Sequence, residues 1–159
     1  MIIIAAGSSL PFSSNDSQEI VLSAFSALKT VGSLISISSL YESPAWPDHT
    51  DPPFINAAAL IKTTLPPEGL LAVLHSIEAG FGRKRSIRNA PRTLDLDLIA
   101  YDQEIIDTPT LQVPHPGVET RDFVLQPICD LDPSWCHPIT GKSAKAMLEA
   151  LPKVQLRRI

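Results

Sequence analysis

Segments of strand period and helix period follow one another in the order β-α-β-β-α-β. That order predicts an α+β, ferredoxin-like βαββαβ core, an antiparallel sheet with both helices on one face and a C-terminal extension. Three observations carry the prediction. Residues 2–6 form a continuous apolar run, two later stretches place apolar residues at helical spacing, and Leu94, Leu96 and Leu98 alternate with Asp95 and Asp97.

The run at 2–6 ends at Gly7 and reads as a strand buried on both faces. Asp16-Ser17-Gln18-Glu19 has the form of a capping box. Val21, Ala24, Phe25, Leu28 and Val31 then recur at helical spacing, so a helix is expected over 17–31, ended by Gly32. Residues 34–42 alternate as a second strand, a proline-rich loop with Trp46 spans 43–53, and 54–61 reads as a third strand. Pro66 and Pro67 suit the first turn of a helix. Its stripe is Leu70, Leu74, Ile77 and Phe81, and Gly80 and Gly82 terminate it. The fourth strand is expected over 93–101. The last third holds a short strand at 103–106, a Val113-Pro114-His115-Pro116 loop and helices at 121–129 and 143–151. The helix-free face of the sheet is left for a ligand and for this last third.

With 159 residues, 44% of them hydrophobic, the chain suffices for one domain with a real core, taken as 1–159. No apolar run reaches membrane-spanning length, and the start lacks the basic segment of a signal peptide. A net charge of −4 argues against a general nucleic-acid binder. Cys129 and Cys136 match no zinc or redox spacing and read as buried or partly buried free thiols in a reducing cytoplasm.

The chemistry concentrates around 83–101. On a strand, Asp95 and Asp97 share one face with Thr93, Ile99 and Tyr101, and the leucines share the other. Two carboxylates at that spacing stand roughly 6–7 Å apart along the rise. A hard divalent cation bridges such a pair and takes its other ligands from phosphates. Just upstream, Arg83, Lys84, Arg85, Arg88 and Arg92 put five of the chain's thirteen cations within ten residues. Arginine's planar fork suits phosphate, so a nucleoside triphosphate is the expected ligand.

Other candidates weigh less. Gly141-Lys142-Ser143 lacks the upstream glycine of a P-loop and reads as a turn with Ser143 as N-cap. The histidines at 49, 75, 115 and 137 have no spacing for a shared metal. Glu78, near the end of the second helix, opposes the helix dipole and reads either as a functional carboxylate or as a solvated one.

Pro91-Arg92-Thr93-Leu94-Asp95-Leu96-Asp97-Leu98-Ile99 resembles the signature of the 6-hydroxymethyl-7,8-dihydropterin pyrophosphokinase family of folate biosynthesis. Val113-Pro114-His115, Arg121 with Phe123, Tyr41-Glu42-Ser43-Pro44 and Phe54-Ile55-Asn56-Ala57-Ala58 fit the same family in the right order. The resemblance implies Mg²⁺-dependent transfer of a pyrophosphoryl group from ATP to the hydroxymethyl oxygen of 6-hydroxymethyl-7,8-dihydropterin, with release of AMP. It implies two Mg²⁺ ions on Asp95 and Asp97, and a catalytic set completed by Arg83, Arg85 and Arg92. The ATP set becomes Glu78, Arg83, Arg85, Arg92, Leu98, His115 and Arg121. The pterin set becomes Ser43, Pro44, Ala45, Trp46, Phe54, Asn56, Asp95 and Phe123, with the two phenylalanines sandwiching the ring. A monomer acting on small molecules, without nucleic acid or membrane, is expected. The chain departs from common members at Ser9, His75 and Asn89. Alternative readings are another D-x-D metal-dependent transferase and a non-catalytic ferredoxin-like pterin or nucleotide-binding module.

Overall fold

The computed structural model describes residues 1–45, 50–83, 91–152 and 156–159. The strands are β1 (Ile2–Ser8), β2 (Ser33–Ile37), β3 (Tyr41–Ser43), β4 (Phe54–Lys62), β5 (Asp95–Tyr101), β6 (Ile106–Asp107), β7 (Gln112–Val113) and β8 (Arg157–Arg158). The helices are α1 (Ser17–Ala27), α2 (Pro67–Gly80), α3 (Asp122–Leu131) and α4 (Ala144–Ala150). The main sheet is antiparallel, in the order β5-β1-β4-β3-β8, with β2 also pairing β4. A separate hairpin pairs β6 with β7. The ferredoxin-like antiparallel sheet and both expected helices are present.

The sheet is buried on both faces, and its side chains divide by strand parity. Ile2, Ile4, Ala6, Ala57, Ala59, Ile61, Leu94, Leu96 and Leu98 pack with Phe25, Leu28, Leu70 and Leu74 of the α1/α2 layer. Ile3, Ala5, Ala58, Ile99 and Ala100 pack with Val124, Leu125, Ile128 and Met147 of the α3/α4 layer. The last third of the chain therefore covers the face that the first two helices leave bare.

Four expectations need correction. The helix at 17–31 is α-helical only to Ala27 and continues as a 3-10 turn over Leu28–Thr30, where the Thr30 hydroxyl donates to the Ala27 carbonyl. Gly32, after Val31, lies close against the Lys62 backbone, where a Cβ would collide with the Lys62 carbonyl oxygen. The single strand at 34–42 is two, β2 and β3, because Ser38 takes over the ladder, its hydroxyl accepting from the Ala58 N–H. Tyr101 leaves the aspartate face. The β1–β5 register slips so that Ile3 faces Ala100 and Ile4 faces Leu98, which inserts Ile99 as a bulge and returns Tyr101 to the α1/α2 side. Cys136 is exposed, and only Cys129 is partly buried; both are free.

Smaller expectations stand nearby. The capping box at Asp16 and Glu19 is formed, and Ser143 caps α4 by accepting from the Ala146 N–H. Gly80 is the last residue of α2, and the left-handed Gly82 (φ +70°) turns the chain away. Among the described residues no helix is long and apolar enough to cross a membrane.

Candidate active site

The acidic strand β5 lies at one edge of the sheet. An edge strand leaves backbone groups without a neighbour, and here a helix and a loop take them. The Leu96 N–H donates to Glu78 Oε1 at 2.7 Å, and the Ile99 carbonyl accepts from the His115 N–H at 2.9 Å. Glu78 sits in the last turn of α2 and is 2% exposed, so it is a buried anchor and not a solvated carboxylate. It also pairs with Arg83, which the Gly82 turn brings back against the helix end.

Around Asp95 and Asp97 the charges are close. Asp95 Oδ1 is 2.6 Å from Arg83 Nη1, and Asp95 Oδ2 is 2.7 Å from Arg92 Nη1. Asp97 is flanked by His115 Nε2 at 3.9 Å and Arg121 Nη1 at 4.0 Å. His115 is oriented from behind, because its Nδ1 accepts from the Gly117 N–H at 3.0 Å. Ser9 fixes the Arg92 backbone: its hydroxyl accepts from the Arg92 N–H, and the N–H groups of Ser9 and Leu10 donate to the Arg92 carbonyl.

Burial and the neighbouring Asp95 push the Asp97 carboxyl above the usual carboxylate range, against the pull of His115, Arg121 and Arg83. Burial likewise raises Glu78, with the Leu96 N–H and Arg83 opposing it. Burial lowers His115, while Asp97 draws it upward.

Two cavities meet at this pair. One, of about 770 Å³, runs between α2 and the β6–β7 hairpin, with His75, Glu78, Arg83, Leu98 and His115 among its walls. The other, of about 550 Å³, lies between the ends of β3 and β4 and the start of α3. Ser43, Pro44, Phe54, Asn56, Arg121 and Phe123 line it. Asp95 and Asp97 belong to the walls of both. Phe54 carries the Arg92 guanidinium 5.9 Å from its ring centre, and Phe123 carries that of Arg121 at 6.0 Å. The Asn56 amide donates to Ser43 Oγ at 2.9 Å, which fixes its orientation in the second cavity.

The expected residues therefore divide clearly. Glu78, Arg83, Leu98 and His115 line the first cavity, and Ser43, Pro44, Phe54, Asn56 and Phe123 the second. Arg92 and Arg121, expected on the nucleotide side, line the second cavity instead, beside the aspartates. Ala45 is buried and does not line either cavity. Trp46, Arg85 and Asn89 lie outside the described residues.

Sequence reasoning missed the hairpin wall, Thr108 to Leu111, and the pair Thr120 and Asp122. The Leu71-His75-Glu78 spacing of four and three is a signal for one side of α2. The hairpin loop carries no chemical motif.

The donor set suits a hard cation. Among the described residues no group of three or more His, Cys, Asp or Glu could hold a metal by itself. Two carboxylates backed by arginines fit an ion that takes most of its oxygens from water and phosphate, as Mg²⁺ does.

Residues 3–133 match the family model described as 7,8-dihydro-6-hydroxymethylpterin-pyrophosphokinase. Over 158 residues the chain is 35% identical to the 2-amino-4-hydroxy-6-hydroxymethyldihydropteridine pyrophosphokinase of Pseudomonas aeruginosa, covering 99% of this chain and 96% of that one. The Aquifex aeolicus protein of the same name is 37% identical over 125 residues, 79% of this chain and 78% of the other. The folic acid synthesis protein fol1 of Schizosaccharomyces pombe is 34% identical over 152 residues; the match covers 93% of this chain and 21% of that longer protein. In structure, the chain resembles wild-type Plasmodium falciparum HPPK-DHPS with pteroate, with a TM-score of 0.72 at 13% identity. That match covers 93% of this chain and 41% of the other.

Proposed function

We propose a reaction from the premise that this chain belongs to the 7,8-dihydro-6-hydroxymethylpterin-pyrophosphokinase family. It transfers the β,γ-pyrophosphoryl group of ATP to the hydroxymethyl oxygen of 6-hydroxymethyl-7,8-dihydropterin, a step of folate biosynthesis. The substrate oxygen forms a bond to the β-phosphorus, the bond from that phosphorus to the α-phosphate oxygen breaks, and AMP leaves. The hydroxyl proton passes to solvent or to a phosphate oxygen, so no side-chain base is needed. The observation that carries the reading is the acidic pair shared by a long polar cavity and an aromatic-walled one.

In this reading the first cavity takes the nucleotide, with Glu78, Arg83, Leu98 and His115 around it. Phe54 and Phe123 sandwich the pterin, and Asn56, Ser43 and Pro44 read its hydrogen-bonding edge, with Trp46 joining them. Arg83 and Arg92 exchange Asp95 for phosphate oxygens when ATP enters, and Arg121 and His115 meet the triphosphate from the Asp97 side. Arg85 joins the phosphate-binding set. Asp95 and Asp97 would hold two Mg²⁺ ions, which would supply charge neutralisation to the triphosphate. The chain's own work is positioning and electrostatic stabilisation.

Residues 1–159 serve as one domain, and the protein works as a monomer in the cytoplasm without nucleic acid. The net charge of −4 and the two free thiols support that setting. Incubation with ATP, Mg²⁺ and the hydroxymethyl dihydropterin tests the whole reading. AMP should appear in step with the pyrophosphorylated pterin. Release of ADP, or binding of both ligands without turnover, would overturn it.

A further inference from the structure

The two walls of the aromatic cavity come from elements far apart in the chain. One wall is the paired ends of β3 and β4, where Ser43 faces Phe54 and Tyr41 faces Asn56. The other is the first turn of α3, which carries Phe123 and Val124. Apolar packing of Val124, Leu125 and Ile128 against Ala58 holds the helix to the sheet, but hydrophobic contact is non-directional and leaves the helix free to roll or slide slightly.

A directional link crosses the same gap at the far end of the helix. The Tyr41 hydroxyl donates to the Asp130 carboxylate, 2.9 Å from each oxygen. The Ser39 N–H donates to Asp130 Oδ2 at 3.1 Å. Tyr41 is buried, and its burial followed by its bond to Asp130 raises the phenol, which therefore stays a donor. The register makes this link parallel to the slot. Phe123 and Asp130 are seven residues apart, two helical turns, and share one side of α3 about 10 Å apart. Tyr41 and Ser43 are two residues apart and share one face of β3. The Asn56 amide also reaches the Tyr41 carbonyl at 3.5 Å.

We propose that Tyr41 and Asp130 are positioning residues for the heterocyclic substrate, a brace that sets the distance between Phe123 on α3 and the Phe54–Asn56 wall. The idea rests on the pyrophosphokinase reading, and neither residue touches substrate in it. Loss of the brace lets the slot loosen, so affinity for the flat ring falls while the nucleotide cavity, built on α2 and the β6–β7 hairpin, is untouched.

The experiment is steady-state kinetics and thermal melting of Tyr41→Phe, Asp130→Ala, Asp130→Asn and the Tyr41→Phe/Asp130→Ala pair in the intact chain. Tyr41→Phe and Asp130→Ala should each raise KM for the dihydropterin about tenfold, the equivalent of one hydrogen bond to a charged group. KM for ATP and kcat should stay within about twofold of wild type, since the perturbation is confined to binding of one substrate. Asp130→Asn keeps an acceptor oxygen and should recover most of the loss, and the double variant should be no worse than either single one. Equal changes in both KM values, additive losses, or a lowered Tm with unmoved pterin KM would each overturn the brace. Wild type that makes no AMP would instead sink the reaction reading and the brace with it.

Discussion

Replacing Glu78 asks whether the acidic strand is held in place by a buried carboxylate. Leucine at this position leaves the N–H of the buried Leu96 without its acceptor, at a cost of about 1–3 kcal/mol. Arg83 adds less, because it keeps Asp95 at 2.6 Å and remains partly exposed. Glutamine retains an oxygen for the Leu96 N–H and should come close to wild type in stability. For a domain of this size each kcal/mol moves Tm by roughly 2–4 °C, so Glu78→Leu should melt roughly 2–12 °C below Glu78→Gln. AMP release should fall further in the leucine variant, because Leu96 sits between the two aspartates. A leucine variant that melts with or above the glutamine one would refute the anchoring argument.

The pH dependence of the same pair has a definite sign. Burial raises Glu78 above its ordinary 4.5, so the folded protein holds this proton more tightly than the unfolded chain. Its contribution to stability is complete below about pH 4.5 and is lost as pH rises through the raised folded value. Glutamine does not titrate, so wild type should lose ground to Glu78→Gln as pH increases from 4.5. The opposite slope in denaturant titrations would mean that Arg83 outweighs burial.

Three further outcomes are expected. Asp97→Ala should cut AMP release by about three orders of magnitude, since a unit charge at 4 Å in a partly screened site is worth about 4 kcal/mol; turnover within tenfold of wild type would remove Asp97 from the cation site. Phe123→Ala should raise KM for the dihydropterin by about tenfold or more while leaving KM for ATP unchanged, as loss of one ring from a stack predicts. Burial lowers His137, and its Nδ1 accepts from the Ile139 and Thr140 N–H groups. Its stabilising contribution is therefore present above the ordinary 6.5 and lost as pH falls through the lower folded value, so His137→Gln should flatten the acid limb of a Tm-against-pH curve.

The parts of the fold written in local periodicity were legible. The leucine–aspartate alternation, the Asp16 capping box and the apolar stripe of α2 each depend on contacts within a few residues, and each is present. The parts set by distant partners were not. Ser38 ends β2 only because the Ala58 N–H lies opposite its hydroxyl. In the sequence Glu78 is either a functional or a solvated carboxylate, and only Leu96, eighteen positions on, shows it buried by offering an N–H to it. Arg92 and Arg121 were assigned to the nucleotide by motif. Their geometry, over Phe54 and Phe123, puts them in the wall of the second cavity, beside the aspartates that both cavities share.

The bulge at Ile99 shows how one strand serves both layers of the molecule. Up to Asp97 the parity of β5 sends leucines to the α1/α2 core and carboxylates to the other face. If the alternation continued unbroken, Tyr101 would crowd the α3/α4 side. The extra residue instead places Ile99 and Ala100 together in that core and returns Tyr101 toward α2, where its hydroxyl donates to the Leu65 carbonyl at 2.6 Å. The carbonyl of the bulged residue accepts the His115 N–H, and that bond brings the imidazole to 3.9 Å from Asp97. Bulges disrupt a ladder locally and re-aim the side chains beyond them. Here the disruption gives the loop before α3 a backbone group to dock on, two residues from the acidic pair it must face.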